Sequence, residues 1–587
     1  MRGAHRMQDR RETAAAAEAP VRGAAAPSYG AHFVPKLVIA LREGYSAGHL
    51  SSDLLAGLTV AILALPLSMA IAIGAGTTPD RGLITAVVAG FFISALGGSR
   101  FQVGGPAAAF IVIIANIVGT HGIGGLMTAT FLAGFMLVAA ALLKLGSYIK
   151  YIPGPVILGF TSGIGIIIAI GQLKDFLGFA GDVPAEFLHK LTALWDIKGT
   201  FNPSALLVGL VTLGIISLTK MVRPSWPGLL FAVVIASGLA WGLGLPVDTI
   251  GSRFGGIPNA LPVPQLPDLS PAMISAVLPS AFTIAFLVGV ESLLSAVAAD
   301  AKTGGRHRSN AEVLGQGIAN IASPLFGGLP ATGVIARTGT NITAGAKTPV
   351  AGVMHAVFVL LFMLLAAPLA SYLALPCLAA VLLNVSWRLI DYKEVSHFVT
   401  RAPFDDRLVL LATLVLTVVA DLNVAIGVGF GLACMLFMHR MSEAAVTGLG
   451  TSPGLDDDMD DIAKPRSVLT EMALPDGIQV LSLRGPLFFG GASSLLDTLR
   501  TGKTYPKVLI VRMRDVPLVD ATALSALEDL VTDLGKRGGR LVISGLQKQP
   551  REALHRMGLL KRHKVVIASN GFIALEKAKA MLAEAAT

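Results

Sequence analysis

The chain has 587 residues, 53% of them hydrophobic and 14% charged, with a formal net charge of +9 and a mean hydropathy of +0.70. A soluble globular fold cannot hide that much apolar surface, so a wholly soluble protein is excluded. The basic excess lies in short loops between apolar segments rather than on one face, which argues against nucleic-acid binding.

Residues 1–50 read as an N-terminal tail. Its stretch 1–35 is rich in Ala and Arg and lacks the continuous apolar run of a secretory signal, so a disordered cytoplasmic segment is expected. A membrane domain follows over 51–440, where apolar stretches of about 20 residues are long enough to span the hydrocarbon as helices. The first series is 55–75, 82–99, 107–119, 124–143, 153–171, 204–220 and 226–245. The second is 278–297, 312–326, 334–343, 348–367, 372–388, 407–420 and 423–438. The third member of each series is too short to cross alone, and is introduced by Gly-Pro in one case and by Leu-Pro-Ala-Thr-Gly in the other. Fourteen segments in two sets of seven predict an inverted repeat with two broken helices meeting at the membrane midplane. An odd number per repeat turns the second copy upside down.

Loop charges give the orientation. With both termini cytoplasmic, the inner loops carry thirteen Lys and Arg, Arg100, Lys150 and Lys302 among them. The outer loops carry five, Arg81, Lys174, Lys190, Lys198 and Arg253, in accord with the positive-inside bias. The cluster Lys302, Arg306, His307 and Arg308 reads as one such inner loop. The two cysteines, Cys377 and Cys434, lie in apolar segments and read as small buried hydrophobes, with no disulfide framework or metal-type spacing. Beyond the last span, 441–467 reads as an acidic linker and 468–587 as an α/β domain. Strands are expected at 478–483, 507–513, 540–544 and 564–568, and a helix at 521–534.

Few ionisable residues fall inside the spans, and two of them are Glu291 and Arg337. A charge at that depth is costly unless paired or solvated, so each is a functional candidate. Glu291 reads as a carboxylate that takes up and releases a proton, or binds a cation, with Ser295 one helical turn later on the same face. A structural ion pair between Glu291 and Arg337 is the plainer alternative. Gly104-Gly105-Pro106-Ala107-Ala108-Ala109 precedes one short helix and leaves free backbone N–H groups at its positive end for an anion. Gly333, Val334, Ile335 and Ala336 do the same at the other, with Arg337 one turn inside. Close packing of small residues would also explain both motifs.

Five stretches carry a resemblance: DLLAGLTVAILALPLSMAIAIGAG, GGSRFQVGGPAAAF, KYIPGPVILGFTSGIG, GQGIANIASPLFGGLPATGVIARTGTN and LAAVLLNVSWRLIDY, spread over residues 53–392. In these the chain resembles the SulP family of anion transporters, which includes animal sulfate, chloride and bicarbonate exchangers. The resemblance implies a uracil-permease-like fold in which a core of segments 1–4 and 8–11 moves, elevator-like, against a gate of segments 5–7 and 12–14. It places the substrate between the third and tenth segments, at Ala107 and Val334, with Leu67, Ser68 and Ile71 closing the pocket. It further implies a homodimer in a bacterial inner membrane, with no enzymatic activity and no cofactor. Sulfate is the first expectation; bicarbonate and C4-dicarboxylates also fit the pocket.

The C-terminal part resembles a STAS domain through VPLVDATALSAL, in which Thr522 is the hydroxyl that could accept phosphate. Sodium-coupled bicarbonate members of the family place aspartate at Glu291 and threonine at Ser295 and Ile335. Losing the hydroxyl at Ile335 removes a ligand for a hard cation, so proton coupling is expected over sodium. An anion channel, a membrane-anchored sensor and a nucleobase permease are the competing readings. Paired broken helices and a buried glutamate argue against a mere anchor.

Overall fold

The computed structural model describes residues 33–147, 153–181, 183–184, 187–223, 227–420, 422–443, 446–450, 474–487, 506–559 and 565–584. The expected tail over 1–32, the inner-loop Lys150 and most of the expected linker, 451–467, lie outside them. The chain divides into two compact units, Met1–Phe430 and Gly431–Thr587.

In the first unit the apolar runs become helices: α1 (Ala47–Gly74), α2 (Pro79–Leu96), α3 (Ile111–Leu142), α4 (Gly154–Leu177), α5 (Phe187–Asp196), α6 (Pro203–Val222) and α7 (Gly228–Gly242). The second series gives α8 (Pro271–Thr303), α9 (Ser309–Leu325), α10 (Ile335–Thr343), α11 (Val350–Ala370), α12 (Leu375–Ile390), α13 (Phe404–Val419) and α14 (Leu422–Glu443), the last of which runs into the second unit. Prolines stand in the first turns of α2, α6, α8 and α12, where the missing N–H costs nothing and the fixed φ suits a helix start.

Each expected segment falls on a helix, yet among the described residues eight helices are long and apolar enough to cross a membrane. The difference has local causes. The third and fourth segments run together as α3 and part only at Gly122, whose φ of 67° and ψ of −172° break the helix. α7 and α13 have 15 and 16 residues, below the length that carries a helix across the hydrocarbon. α10 has nine residues, about 14 Å of rise, far less than a hydrocarbon core of about 30 Å.

Packing sorts the helices into two groups. α9 lies on α3 and α2, α11 on α1 and α2, and α8 on α3, whereas α12 and α13 lie on α4 and α6 pairs with α7. Hydrogen bonds between distant loops lock the first group. Arg81, at the start of α2, donates to the carbonyl of Gly327 at 2.7 Å, and Thr85 accepts from the Leu329 amide at 2.6 Å. Glu312, at the start of α9, accepts from the amides of Gly98 and Ser99 at 2.8 and 2.9 Å. Asp53, fully buried in α1, accepts from the Lys347 amide at 2.7 Å and from the Thr348 amide and hydroxyl at 3.1 and 2.6 Å.

The second unit holds a five-stranded sheet in the order β3 (Val446–Gly450), β4 (Ile478–Arg484), β5 (Val508–Asp515), β6 (Arg540–Ser544) and β7 (Val566–Ala568). β3 runs antiparallel to β4 and the other pairs are parallel. The region expected as linker from 441 therefore begins with the end of α14 and a sheet strand, because Val446–Gly450 satisfies the open edge of β4. On β5, Leu509 and Val511 face one core with α15 (Ala521–Lys536), and Val508 and Ile510 face the other with α17 (Gly571–Glu584), which lies beyond α16 (Lys548–Arg556) in the chain. A strand buried on both faces reads as a continuous apolar run.

The bonds to Asp53 yield a test. Asp53→Ala leaves two buried amides and a hydroxyl without their acceptor, costs about 3 kcal/mol, and should lower the thermal unfolding temperature of purified protein by several degrees. Asp53→Asn, which still accepts the amides, should lose less.

Candidate functional site

The two short strands before the broken helices pair with each other. β1 (Gly104–Gly105) runs antiparallel to β2 (Thr332–Gly333), with Gly104 opposite Gly333 and Gly105 opposite Thr332. The Val334 amide extends the pairing by donating to the Val103 carbonyl at 3.0 Å, and the Val103 amide donates to the Thr338 hydroxyl at 3.2 Å. Glycine is required twice. Gly105 has a φ of 152°, and a Cβ there would strike the Arg337 guanidinium; a Cβ on Gly333 would strike the Gln102 amide.

Each short helix thus starts beside the other. The helical ladder of α10 begins where the Thr338 amide donates to the Val334 carbonyl at 2.9 Å, so the amides of Ile335, Ala336 and Arg337 have no helical acceptor. On the other side Ala107 leads into a tight turn, Ala108–Phe110, before α3. Ala107 and Ala109 are buried, Val334 is half-buried, and Ile335 and Ala336 are exposed. Small residues thus stand at two helix N-termini with first-turn amides that no helical carbonyl accepts.

Arg337 is fully buried and spends its guanidinium on neutral oxygens. Nη2 donates to the Ser68 hydroxyl at 2.9 Å and to the Pro106 carbonyl at 3.4 Å, and Nη1 donates to the Gly104 carbonyl at 3.3 Å. Nε has no partner among the described residues. Among the described residues no carboxylate pairs with Arg337, so the ion pair with Glu291 does not form. Carbonyl dipoles hold the guanidinium without neutralising it, and its charge stays beside the two helix starts. Ser68 is brought into this cluster by α1, with Leu67 and Ile71 buried on either side of it in the helix.

Glu291 looks elsewhere. It lines a cavity of about 280 Å³ with Ile335, Phe160, Thr161, Arg388 and Asp391, and forms no hydrogen bond or ion pair among the described residues. Ser295 does not join it. Its hydroxyl, fully buried, bonds the Thr338 hydroxyl at 3.2 Å and so fixes α8 to α10. Thr522 belongs to the second unit, exposed in the first turn of α15 behind Asp520, whose carboxylate caps the Ala523 amide at 2.7 Å.

Two positioning residues escape a reading of the sequence. Gln102 donates to the Ser292 carbonyl at 3.2 Å and Thr332 to the Val288 carbonyl at 3.3 Å, so both crossing strands hang from α8. Polar side chains next to the Gly-Pro and Ala-Thr-Gly breaks were the available signal. Among the described residues no group of His, Cys, Asp and Glu could hold a metal ion.

Comparison with known proteins fits this geometry. The sulfate permease family matches residues 50–413 and the STAS domain residues 470–569. The putative sulfate transporter YvdB of Bacillus subtilis is 41% identical over 528 residues, covering 89% of this chain and 96% of that protein. The bicarbonate transporter BicA of Synechocystis sp. is 31% identical over 529 residues, covering 87% of this chain and 91% of that protein. The structure of the murine Solute Carrier 26 family member A9 anion transporter, in its inward-facing state, superposes with a TM-score of 0.82 over 96% of this chain and 97% of that one. At 18% identity that likeness speaks for the fold alone. The chain belongs to the sulfate permease family, with a C-terminal STAS domain, and is a membrane transporter of anions rather than an enzyme.

Proposed function

We propose that the chain is a secondary active transporter that accumulates a small anion, sulfate before bicarbonate or a C4-dicarboxylate, by coupling its movement to protons through Glu291. The observation that carries this is the antiparallel pairing of Gly104–Gly105 with Thr332–Gly333, which sets two helix starts and the un-neutralised Arg337 side by side. An anion held there meets backbone donors and one positive charge without a carboxylate to compete. The likeness to a putative sulfate transporter puts sulfate first.

Glu291 is the coupling group because a carboxylate without a partner at membrane depth is costly as an anion and is neutralised by a proton or a bound cation. The likeness to a bicarbonate transporter favours a second reading, sodium-coupled bicarbonate uptake. Against it, the residue sharing the Glu291 cavity from the start of α10 is Ile335, which offers sodium no oxygen.

The mechanism is elevator-like. A core of α1, α2, α3 and α8–α11 carries the anion past a gate of α4, α6, α7 and α12–α14, following the two packing groups. Fourteen segments in a 7+7 inverted repeat underlie it. The crossed bonds support this: the second segment of each repeat reaches the loop before the broken helix of the other, Arg81 to Gly327 and Glu312 to Gly98. Both termini are cytoplasmic in a bacterial plasma membrane, and the STAS domain supports a homodimer, with Thr522, in the first turn of α15, as the candidate for phosphorylation after Asp520.

Reconstituted vesicles given labelled sulfate, bicarbonate and fumarate, with and without proton and sodium gradients, test the reading. Sulfate should accumulate under an inward proton gradient, and accumulation driven by sodium alone would replace proton coupling with the second reading. Glu291→Gln should abolish proton-driven accumulation while the protein still inserts and exchanges anions at equilibrium; accumulation at the wild-type rate would remove Glu291 from the coupling. Arg337→Ala should weaken anion binding about tenfold or more, a loss of at least about 1.4 kcal/mol. Gly105→Ala should reproduce that loss, since its methyl group displaces the guanidinium.

A further inference from the structure

A second cavity, of about 530 Å³, opens between α4, α13, the end of α1 and the first turns of α3, and is roofed by the short helix α5. Ile111 and Val112 in its wall directly follow the turn Ala108–Phe110, so it adjoins the central helix starts. Two side chains bring hydrogen-bond donors with no other use. Lys190, from α5, forms no ion pair or hydrogen bond among the described residues, and its ammonium lies 3.6 Å from where a Cβ of Gly171 would stand. The next residue, Gln172, is 5% exposed, lines the cavity and likewise has no hydrogen-bond partner among the described residues. Its Nε2 lies 3.1 Å from the Cβ position of Gly74, where only glycine at the end of α1 leaves it room.

The hydroxyls in the same wall are already committed. Thr417 donates to the Thr413 carbonyl at 2.7 Å and Thr120 to the Asn116 carbonyl at 2.9 Å. Among the described residues no Asp or Glu lines the cavity. Burial lowers the Lys190 ammonium below the ordinary lysine range. Such an ammonium is costly as a bare cation, and an oxyanion beside it favours its charged form.

We propose that Lys190 and Gln172 form a second subsite for a small oxyanion, a staging point between the aqueous face that carries α5 and the central helix starts. In the proposed orientation that face is external. The subsite deepens the transport reading and rests on it: an anion would exchange hydration for the Lys190 ammonium and the Gln172 amide before moving on to the backbone donors. Because α4 belongs to the proposed gate and α1 and α3 to the core, an anion here touches both bodies at their seam.

The test uses the full chain in phosphatidylcholine nanodiscs. Acetylation of Lys190 by an amine-reactive ester is followed by mass spectrometry as sodium sulfate or bicarbonate is added at constant ionic strength. Sulfate should slow Lys190 labelling at least about threefold, in the wild type and equally in Arg337→Ala, whose central site is impaired. Gln172→Leu should remove most of the protection. In vesicles, Lys190→Gln should raise the KM for uptake about tenfold with kcat little changed, and Lys190→Arg should restore it. Labelling indifferent to both anions, together with an unchanged KM in Lys190→Gln, would overturn the subsite while leaving transport intact. Protection of Lys190 in a protein that transports nothing would keep the subsite and defeat the transport reading. Protection conferred by phosphatidylglycerol without added anion would assign the pocket to a lipid phosphate and overturn the staging role.

Discussion

The structure of the membrane unit depends on one short antiparallel contact, Gly104–Gly105 against Thr332–Gly333. Backbone that is not helical at membrane depth must find its hydrogen bonds inside the protein, since the hydrocarbon offers none. Pairing the two strands satisfies part of that demand and leaves the first-turn amides of the following helices unspent. The same contact needs glycine, because a side chain at Gly105 or Gly333 would collide with Arg337 or Gln102. Fold and site therefore share one constraint: the places where the chain must break are the places where donors become available.

The rest of the unit holds that contact in place. Gln102 and Thr332 suspend the strands from carbonyls of α8, and Thr338 ties the α10 start to both Val103 and Ser295. Farther out, Asp53, Arg81 and Glu312 clamp the loops that follow or precede the broken helices. Charged hydrogen bonds to backbone amides and carbonyls suit this task, since each carries more energy than a neutral bond and fixes direction as well as distance. Arg337 follows the same logic with three oxygen partners, and the charge it retains is then available to a ligand.

Much of this was legible in the sequence, and the failures have identifiable causes. Hydropathy located each of the long apolar helices because lipid-facing and buried positions are both apolar, but not the shorter α5 or Tyr392–Arg401, and the Gly-Pro and Ala-Thr-Gly breaks marked both short helices. The segments 107–119 and 124–143 part at Gly122, whose φ of 67° and ψ of −172° break the helix between them as expected. The plainer alternative for Arg337, an ion pair with Glu291, looked for a carboxylate, whereas the fold supplied Ser68 and two carbonyls from distant segments. Ser295 lay on the expected helix, but its bond to Thr338 depends on how α8 meets α10. Val446–Gly450 passed for linker since an edge strand next to an acidic stretch has no periodicity long enough to announce it. The helix starts at Ala107–Ala109 and Gly333–Ala336 were legible because glycine and proline before a short helix state a backbone requirement directly.

The central claim is that the anion is held by the two helix starts and Arg337, and an experimental density map of the protein with its transported anion bound tests it most directly. The account predicts anion density between Ala107–Ala109 and Ile335–Arg337, within hydrogen-bond distance of first-turn amides from both short helices. Density at any other place in the membrane unit, with the space between the helix starts filled by protein side chains, would contradict it.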